Sequence, residues 1–186
     1  YIFRSKSNII LVIKIDLKSH IREVPNFPKP GILFYDITTM LKDAKALKVC
    51  FEQLYDLVKD KRYDKVAAIE SRGYIFAVPL ALKLNAGLVL IRKPGKLPAE
   101  VIKESYSLEY GSSTLEIHKD AIKKGERVLL IDDLLATGGT MRAAANLIEK
   151  LGGKVETILF VIELTFLKGI EKFKGYDVKR LLEYDN

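Results

Sequence analysis

Two adjacent carboxylates, Asp132 and Asp133, stand just before a small, hydroxyl-rich run, Ala136-Thr137-Gly138-Gly139-Thr140. The two groups call for different ligands. Glycine backbone and threonine hydroxyls offer donors, and the free amides at the start of a helix point at a bound anion, so one phosphate group fits the run. Carboxylates repel phosphate and want hydroxyls or a divalent cation instead. A ligand with a phosphate beside a diol, such as ribose 5-phosphate, satisfies both halves. The commoner phosphate motifs do not fit. No lysine follows Gly139, as a P-loop requires, and no Gly-x-Gly-x-x-Gly follows a strand.

Two other stretches carry anion-binding chemistry. Glu70-Ser71-Arg72-Gly73 lies between an apolar run and a helical pattern, and Arg92-Lys93-Pro94-Gly95-Lys96 gathers three cations at the end of another apolar run. Cations and backbone amides at the carboxyl ends of buried strands bind anions by the same logic.

The elements that must position these residues are legible as patterns. Val128–Ile131 is an unbroken apolar run, suited to a parallel strand buried on both faces. A helix pattern follows from Met141 to Leu151 and stops at Gly152-Gly153. Val66–Ile69 and Leu88–Ile91 read as two more buried strands, joined by a helix over Tyr74–Leu84 in which Pro79 predicts a kink. This βαβ unit predicts a parallel sheet with right-handed crossovers, and in such sheets ligands sit at the carboxyl ends of the strands. Further strands are expected at Thr157–Ile162 and near Val178–Leu182. Ala44–Lys59 is amphipathic, with Leu47, Cys50, Phe51, Leu54, Leu57 and Val58 on one face. Tyr106–Tyr110 and Thr114–His118 alternate like hairpin strands, and the long tip between them predicts a mobile lid. Asp16–Arg22 reads as a short helix. From Val24 to Ile37, three prolines and a glycine bar a helix through the first part, which predicts a rigid loop with a short extended piece at Ile32–Phe34.

Composition narrows the class. The chain has 186 residues, 48% of them hydrophobic, enough for one globular domain with a real core. The net charge of +7, from 31 basic and 24 acidic residues, is scattered rather than blocked. That disfavours a nucleic-acid tail and suits a polyanionic small molecule. The single cysteine, Cys50, excludes an intrachain disulfide, points to an intracellular protein and reads as a core residue. His20 and His118 are far apart and read as surface residues, so no zinc site is expected. In residues 1–15 the apolar run Ile9–Ile13 is too short to span a membrane, and no small-residue cleavage site follows it. The segment reads as an extra strand or a disordered extension, of unknown role, before a single domain, residues 16–186.

Several of these motifs also carry a resemblance. The run from Val128 to Thr140 resembles the phosphoribosyl-diphosphate (PRPP) signature of the type I phosphoribosyltransferases. Phe27-Pro28-Lys29-Pro30-Gly31-Ile32-Leu33-Phe34, followed by Asp36-Ile37-Thr38, is similar to the hood of the adenine phosphoribosyltransferase family. Ser105-Tyr106-Ser107-Leu108-Glu109-Tyr110-Gly111, with Leu115-Glu116-Ile117, is similar to its flexible loop. The match runs from about Asp16 to the end of the chain.

The resemblance implies an α/β type I phosphoribosyltransferase fold: a central, mostly parallel sheet flanked by helices, an N-terminal hood within residues 16–37 and a β-hairpin lid. It implies transfer of phosphoribosyl from PRPP to adenine, giving AMP and diphosphate in purine salvage. Other bases, or a non-catalytic PRPP-sensing regulator, are the alternatives. A regulator would need a DNA-binding domain, for which the residues before Asp16 are too few.

Residue by residue, Ala136, Thr137, Gly138, Gly139 and Thr140 would hold the 5-phosphate, and Asp132 and Asp133 the ribose hydroxyls. Glu70, Ser71, Arg72, Arg92, Lys93 and Lys96 would hold the diphosphate, with a non-proline cis peptide expected at Glu70–Ser71. Leu33, Phe34 and Tyr35 would meet adenine, although position 35 is usually arginine in the family. Glu109 would be the acid/base residue on the lid, flanked by Tyr106 and Tyr110, with Glu116 on the partner strand a bystander. Magnesium would bind through ligand oxygens with no dedicated protein ligands. The resemblance further implies a cytoplasmic homodimer that uses small molecules and neither nucleic acid nor membrane.

Overall fold

The first of the chain's two units ends at Cys50 and the second runs from Phe51 onward. The computed structural model describes residues 15–107 and 111–185.

In the first unit, Arg22–Pro25 (β1) and Leu33–Asp36 (β2) pair antiparallel, with Arg22 opposite Asp36 and Pro25 opposite Leu33. The expected proline-rich loop is therefore the tip of a hairpin. A two-stranded ribbon is all edge, so it tolerates Pro25, which has no amide to donate. Asn26 and Gly31 turn the tip with φ of 59° and 86°, and the Asn26 side chain accepts the Gly31 amide at 2.9 Å. The Phe27 and Phe34 rings meet edge to face at 5.1 Å. Pairing of Arg22 also limits the expected helix over Asp16–Arg22 to a 3-10 turn, Lys18–His20. His20 is half-buried rather than on the surface, with Nδ1 3.0 Å from the Asp16 carbonyl. The Arg22 guanidinium bonds the Asp36 carboxylate and helps hold its pKa down at about 2. Asp36 also accepts the Thr38 amide as a short helix, Thr38–Leu41 (α1), begins. Asp43 accepts the amides of Lys45 and Ala46, each at 2.9 Å, at the start of Ala44–Val58 (α2), as an N-cap acid does. The buried stripe of α2 is Ala46, Cys50, Leu54 and Val58, spaced by four. Cys50 is a core residue, its thiol pKa pushed up to about 12 by burial.

The second unit runs in the order Lys65–Ile69 (β3), Gly73–Leu84 (α3), Gly87–Ile91 (β4), Val101–Ser107 (β5), Ser112–His118 (β6), Arg127–Leu135 (β7), Gly139–Lys150 (α4), Lys154–Leu164 (β8) and Val178–Tyr184 (β9). Two 3-10 turns, Thr165–Leu167 and Gly169–Phe173, link β8 to β9. Five strands form one parallel sheet in the order β4-β3-β7-β8-β9, and β5 and β6 form a separate antiparallel hairpin. Val128, Leu129, Leu130 and Ile131 of β7 are wholly buried, as an inner parallel strand requires.

Helix α4 and the β5–β6 hairpin cover one face. Ala67, Val128, Leu130, Ile158 and Phe160 from the sheet pack there with Met141, Ala144, Ile148, Leu115 and Ile117. Helix α3 lies on β3, β4 and β7 on the other side, since a Cβ on Gly73 would sit 3.5 Å from that of Ala68, whose neighbour Ala67 faces α4.

Three expectations are corrected here. Strand β4 is not buried on both faces: it is the sheet edge, with Leu88 and Leu90 exposed. Strand β7 runs on to Leu135, so Asp132 and Asp133 lie within it rather than beyond it. His118 is half-buried and its Nε2 accepts the Ala99 amide at 3.4 Å, so it is not a plain surface residue. No helix among the described residues is long and apolar enough to cross a membrane.

Candidate active site

The strand order turns between β3 and β7: from β3 the chain moves outward to β4, then returns to the other side of β3 as β7. At such a switch the two loops leaving neighbouring strands diverge and open a crevice. A cavity of about 300 Å³ lies there, lined by Ile69, Glu70, Ser71 and Arg72 from β3 and by Asp132 through Met141 from β7. The structure thus brings together the first anion stretch, the aspartates and the Gly/Thr run.

The Gly/Thr run is built from backbone. Gly138 takes φ +77° as the N-cap of α4, and no side chain caps that helix, so its first amides stay available to a ligand. The loop rests on a wall from a remote part of the sequence. A Cβ on Gly138 would stand 2.8 Å from the Gly169 carbonyl oxygen, and a Cβ on Gly169 would stand 2.1 Å from that of Ala136. Neither contact admits a side chain, so two glycines interlock. Sequence reasoning missed Gly169; its one signal is a small residue just after the β8 strand, which is weak.

The aspartates sit in the cavity floor. Asp133 is 5% exposed, with Oδ2 2.7 Å from Arg72 Nε. Asp132 accepts the Asp133 amide at 3.0 Å. Burial, with the Asp133 charge alongside, raises the Asp132 pKa well above the ordinary carboxylate value. Burial also raises that of Asp133, against the pull of Arg72. Gly73 makes room here, since a Cβ on it would meet Asp132 Oδ1 at 2.9 Å and the Ile131 carbonyl at 3.2 Å. In the sequence Gly73 was legible only as the end of the Glu70–Gly73 anion stretch, just before the expected helix.

The cation corner is built from side chains. Glu70 holds it together: Arg92 Nε lies 3.2 Å from Oε2, the Lys93 amide donates to the same oxygen at 3.3 Å, and Lys96 Nζ bonds Oε1. Lys96 and Arg92 together help bring the Glu70 pKa down to about 2. Arg92 Nη1 also donates to the Lys96 carbonyl at 3.0 Å, closing the loop on itself. The Tyr74 hydroxyl donates to the Ile91 carbonyl at 2.9 Å and ties the start of α3 to the end of β4. The Glu70–Ser71 peptide is cis, as the resemblance implied.

Of the other expected site residues, Tyr106 packs its ring against the α4-side core. Glu109 and Tyr110 lie outside the described residues. Tyr35 is 4% exposed, while Leu33 and Phe34 are half-buried on β2. No cluster of three or more metal-type side chains occurs among the described residues.

Comparison with known proteins agrees with this geometry. Residues 37–182 match the phosphoribosyl transferase domain family. An adenine phosphoribosyltransferase of Kosmotoga olearia is 54% identical over 170 residues, covering 91% of this chain and 100% of that protein. The crystal structure of the Thermoanaerobacter pseudethanolicus enzyme is 53% identical with a TM-score of 0.88, covering 90% of this chain and 98% of that one. The Saccharomyces cerevisiae enzyme, solved with an imino-altritol bisphosphate and adenine, is 39% identical with a TM-score of 0.84, covering 89% and 96%. The chain belongs to the phosphoribosyltransferase family, in its adenine phosphoribosyltransferase branch.

Proposed function

We propose that this chain transfers the phosphoribosyl group of PRPP to adenine, giving AMP and diphosphate, at the cavity between β3 and β7. The observation that supports this most is the meeting, in one cavity, of a backbone anion loop, a buried acid pair and the Glu70–Arg72 loop, whose Glu70 carboxylate, itself in the cavity wall, holds Arg92 and Lys96. A phosphate, a diol and a diphosphate carried on a single ligand would satisfy all three. Ala136 to Thr140 take the 5-phosphate through amides and hydroxyls. Asp132 and Asp133 accept the ribose hydroxyls. Ser71, Arg72, Arg92, Lys93 and Lys96 take the diphosphate, and the Glu70 carboxylate acts by holding Arg92 and Lys96 in place.

In the reaction, adenine N9 bonds to C1 of the ribose as the bond from C1 to the diphosphate oxygen breaks. Positive charge builds on the ribose ring and negative charge on the departing oxygens. Catalysis is mainly positioning plus fixed charge aimed at those centres. Magnesium suits this donor set, which offers two carboxylates and no cage, because that ion keeps most of its waters and binds through substrate phosphates. When bound with PRPP it would neutralise the leaving diphosphate, held through the ligand's own oxygens while Asp132 and Asp133 keep the ribose hydroxyls.

On the resemblance of the lid, Glu109 takes the proton from the adenine imidazole ring and returns it in the reverse direction. General acid–base catalysis contributes roughly 10²–10⁴-fold, so Glu109→Gln should lower kcat by about that factor. Adenine is met by the hood at Leu33, Phe34 and Tyr35. The burial of the Tyr35 side chain supports recognition by backbone there, which would let tyrosine replace the family's usual arginine.

Residues 1–15 carry no part of the reaction, and deleting them should leave kcat/KM within about a factor of two. The protein works in the cytoplasm as a homodimer. Exposed Ile75, Val78 and Leu82 on α3 and Leu88 and Leu90 on β4 form an apolar face that a second copy would cover.

Steady-state turnover with PRPP and a panel of bases tests the reading. Adenine should be the preferred base. Turnover with hypoxanthine or guanine alone would reassign the base, and PRPP binding without any turnover would favour the regulator.

A further inference from the structure

Glu116 looked like a bystander, yet it is the most enclosed acid among the described residues of the hairpin. It lies on β6, 2% exposed, and touches the cation loop in three ways. Its amide donates to the Arg92 carbonyl at 2.7 Å and its carbonyl accepts the Arg92 amide at 2.9 Å. Three residues on, the Gly95 amide donates to Glu116 Oε2 at 2.9 Å. The other carboxylate oxygen, Oε1, lies 2.7 Å from Lys103 Nζ on β5. Gly95 has φ +79°, so the chain turns back sharply at the point that Glu116 grips. The bonds from Lys103 and Gly95 lower the Glu116 pKa, so the carboxylate is ionised at neutral pH.

A loop rich in cations does not hold its own shape, because its charges repel. Glu70 counters this from the β3 side by pairing Arg92 and Lys96. Glu116 counters it from the hairpin side, and it works on backbone rather than on the cations. A buried side-chain oxygen that accepts a backbone amide fixes where that amide sits, and the bond exists only if the side chain is long enough to reach it.

We infer that Glu116 is a positioning residue for the diphosphate end of PRPP, fixing the shape of the Arg92–Lys96 loop through the Gly95 amide. The inference rests on the assignment of that loop to the diphosphate. It predicts that reach matters and charge does not.

Two conservative variants of the full chain separate the two. Glu116→Gln keeps an acceptor for the Gly95 amide, while Lys103, largely exposed, can turn to water. Glu116→Asp keeps the charge but is one methylene too short. Leaving a partly buried amide without its acceptor costs enough to change binding by about tenfold. Glu116→Asp should therefore raise KM for PRPP by about tenfold, with KM for adenine within a factor of about two. Hydrogen exchange at the Gly95 amide, measured without substrate, should speed up in the same variant. Glu116→Gln should resemble the unsubstituted protein in both readouts. An aspartate variant with unchanged KM for PRPP, or a glutamine variant as defective as the aspartate one, would overturn the inference. So would parallel rises in both KM values, the mark of a general structural role. An unsubstituted chain that fails to use PRPP would sink the functional reading instead, and the exchange comparison would still decide whether Glu116 holds Gly95.

Discussion

The acids at the ends of β3 and β7 sit on neighbouring strands and in opposite electrical states. Glu70 is saturated: two cations and an amide converge on it, and its pKa falls to about 2. Arg72 pairs with Asp133, and both aspartates are pushed the other way by burial, Asp132 further by the Asp133 charge beside it. The first group is an assembled part whose shape is set before any ligand arrives. The second holds unspent acceptor capacity that a ligand's hydroxyls would satisfy. A binding site can thus use carboxylates both as scaffold and as contact, and the direction of the pKa shift tells the two apart.

The comparison breaks most visibly if the aspartates are made neutral. Asp132→Asn should weaken PRPP binding by about ten- to a hundredfold, the worth of a bond to an ionised acceptor, and titration calorimetry would measure it. The same variant should melt higher than the unsubstituted protein at neutral pH, because it removes an acid that burial disfavours. Tighter PRPP binding would mean that the carboxylates only repel the ligand.

Gly169→Ala probes the backbone-built loop. Forcing a methyl against the Ala136 carbonyl should cost roughly 1–3 kcal/mol of stability and raise KM for PRPP more than KM for adenine. Equal effects on both substrates would detach the wall from phosphate binding.

The pH dependence of stability sharpens the contrast. A raised carboxyl pKa contributes stability that is present below the unfolded value and lost as pH rises through the folded one. The melting gain of Asp132→Asn should therefore vanish near pH 4, where the native acid is already protonated, and grow as pH rises until the raised folded pKa is passed. A lowered pKa works in reverse. Glu70→Gln should cost stability at neutral pH, and the cost should fade as pH drops from about 4.5 toward 2. Melting curves across pH that move the two variants in the same direction would contradict the assignment.

The smallest expected effect is of salt. The cations beside Glu70 are partly exposed, so raising ionic strength from about 0.05 to 0.5 M should raise KM for PRPP only a few-fold. The backbone-held phosphate loop should contribute little to that change.

These contrasts also show which parts of the site were readable in the sequence. The Val128–Thr140 run was readable because all its constraints are local: an apolar strand, two acids and a loop that needs small residues. The parallel sheet followed from the βαβ pattern, and the elements came out within a few residues. The failures are all long-range. Nothing in Glu70-Ser71-Arg72 says that Glu70 will be clamped by cations more than twenty residues on. The exposure of Leu88 and Leu90 depends on β4 being an edge, which strand order decides and composition does not. The hood read as a loop because proline argues against strands, and only the pairing of Arg22–Pro25 with Leu33–Asp36 shows that an edge accommodates it.

The interlock of Gly138 and Gly169 limits how the PRPP signature can be moved between proteins. Grafting Val128 to Thr140 onto another parallel strand would transfer every residue that the motif names and leave out the surface that shapes it. The host must also supply, beside the Ala136 carbonyl, a stretch of main chain bare of any side chain, as Gly169 does here. A designer who copies the motif alone should expect a loop of the right composition and the wrong conformation. Relief by mutation is closed from both sides, because any residue larger than glycine at either position adds volume to the same contact.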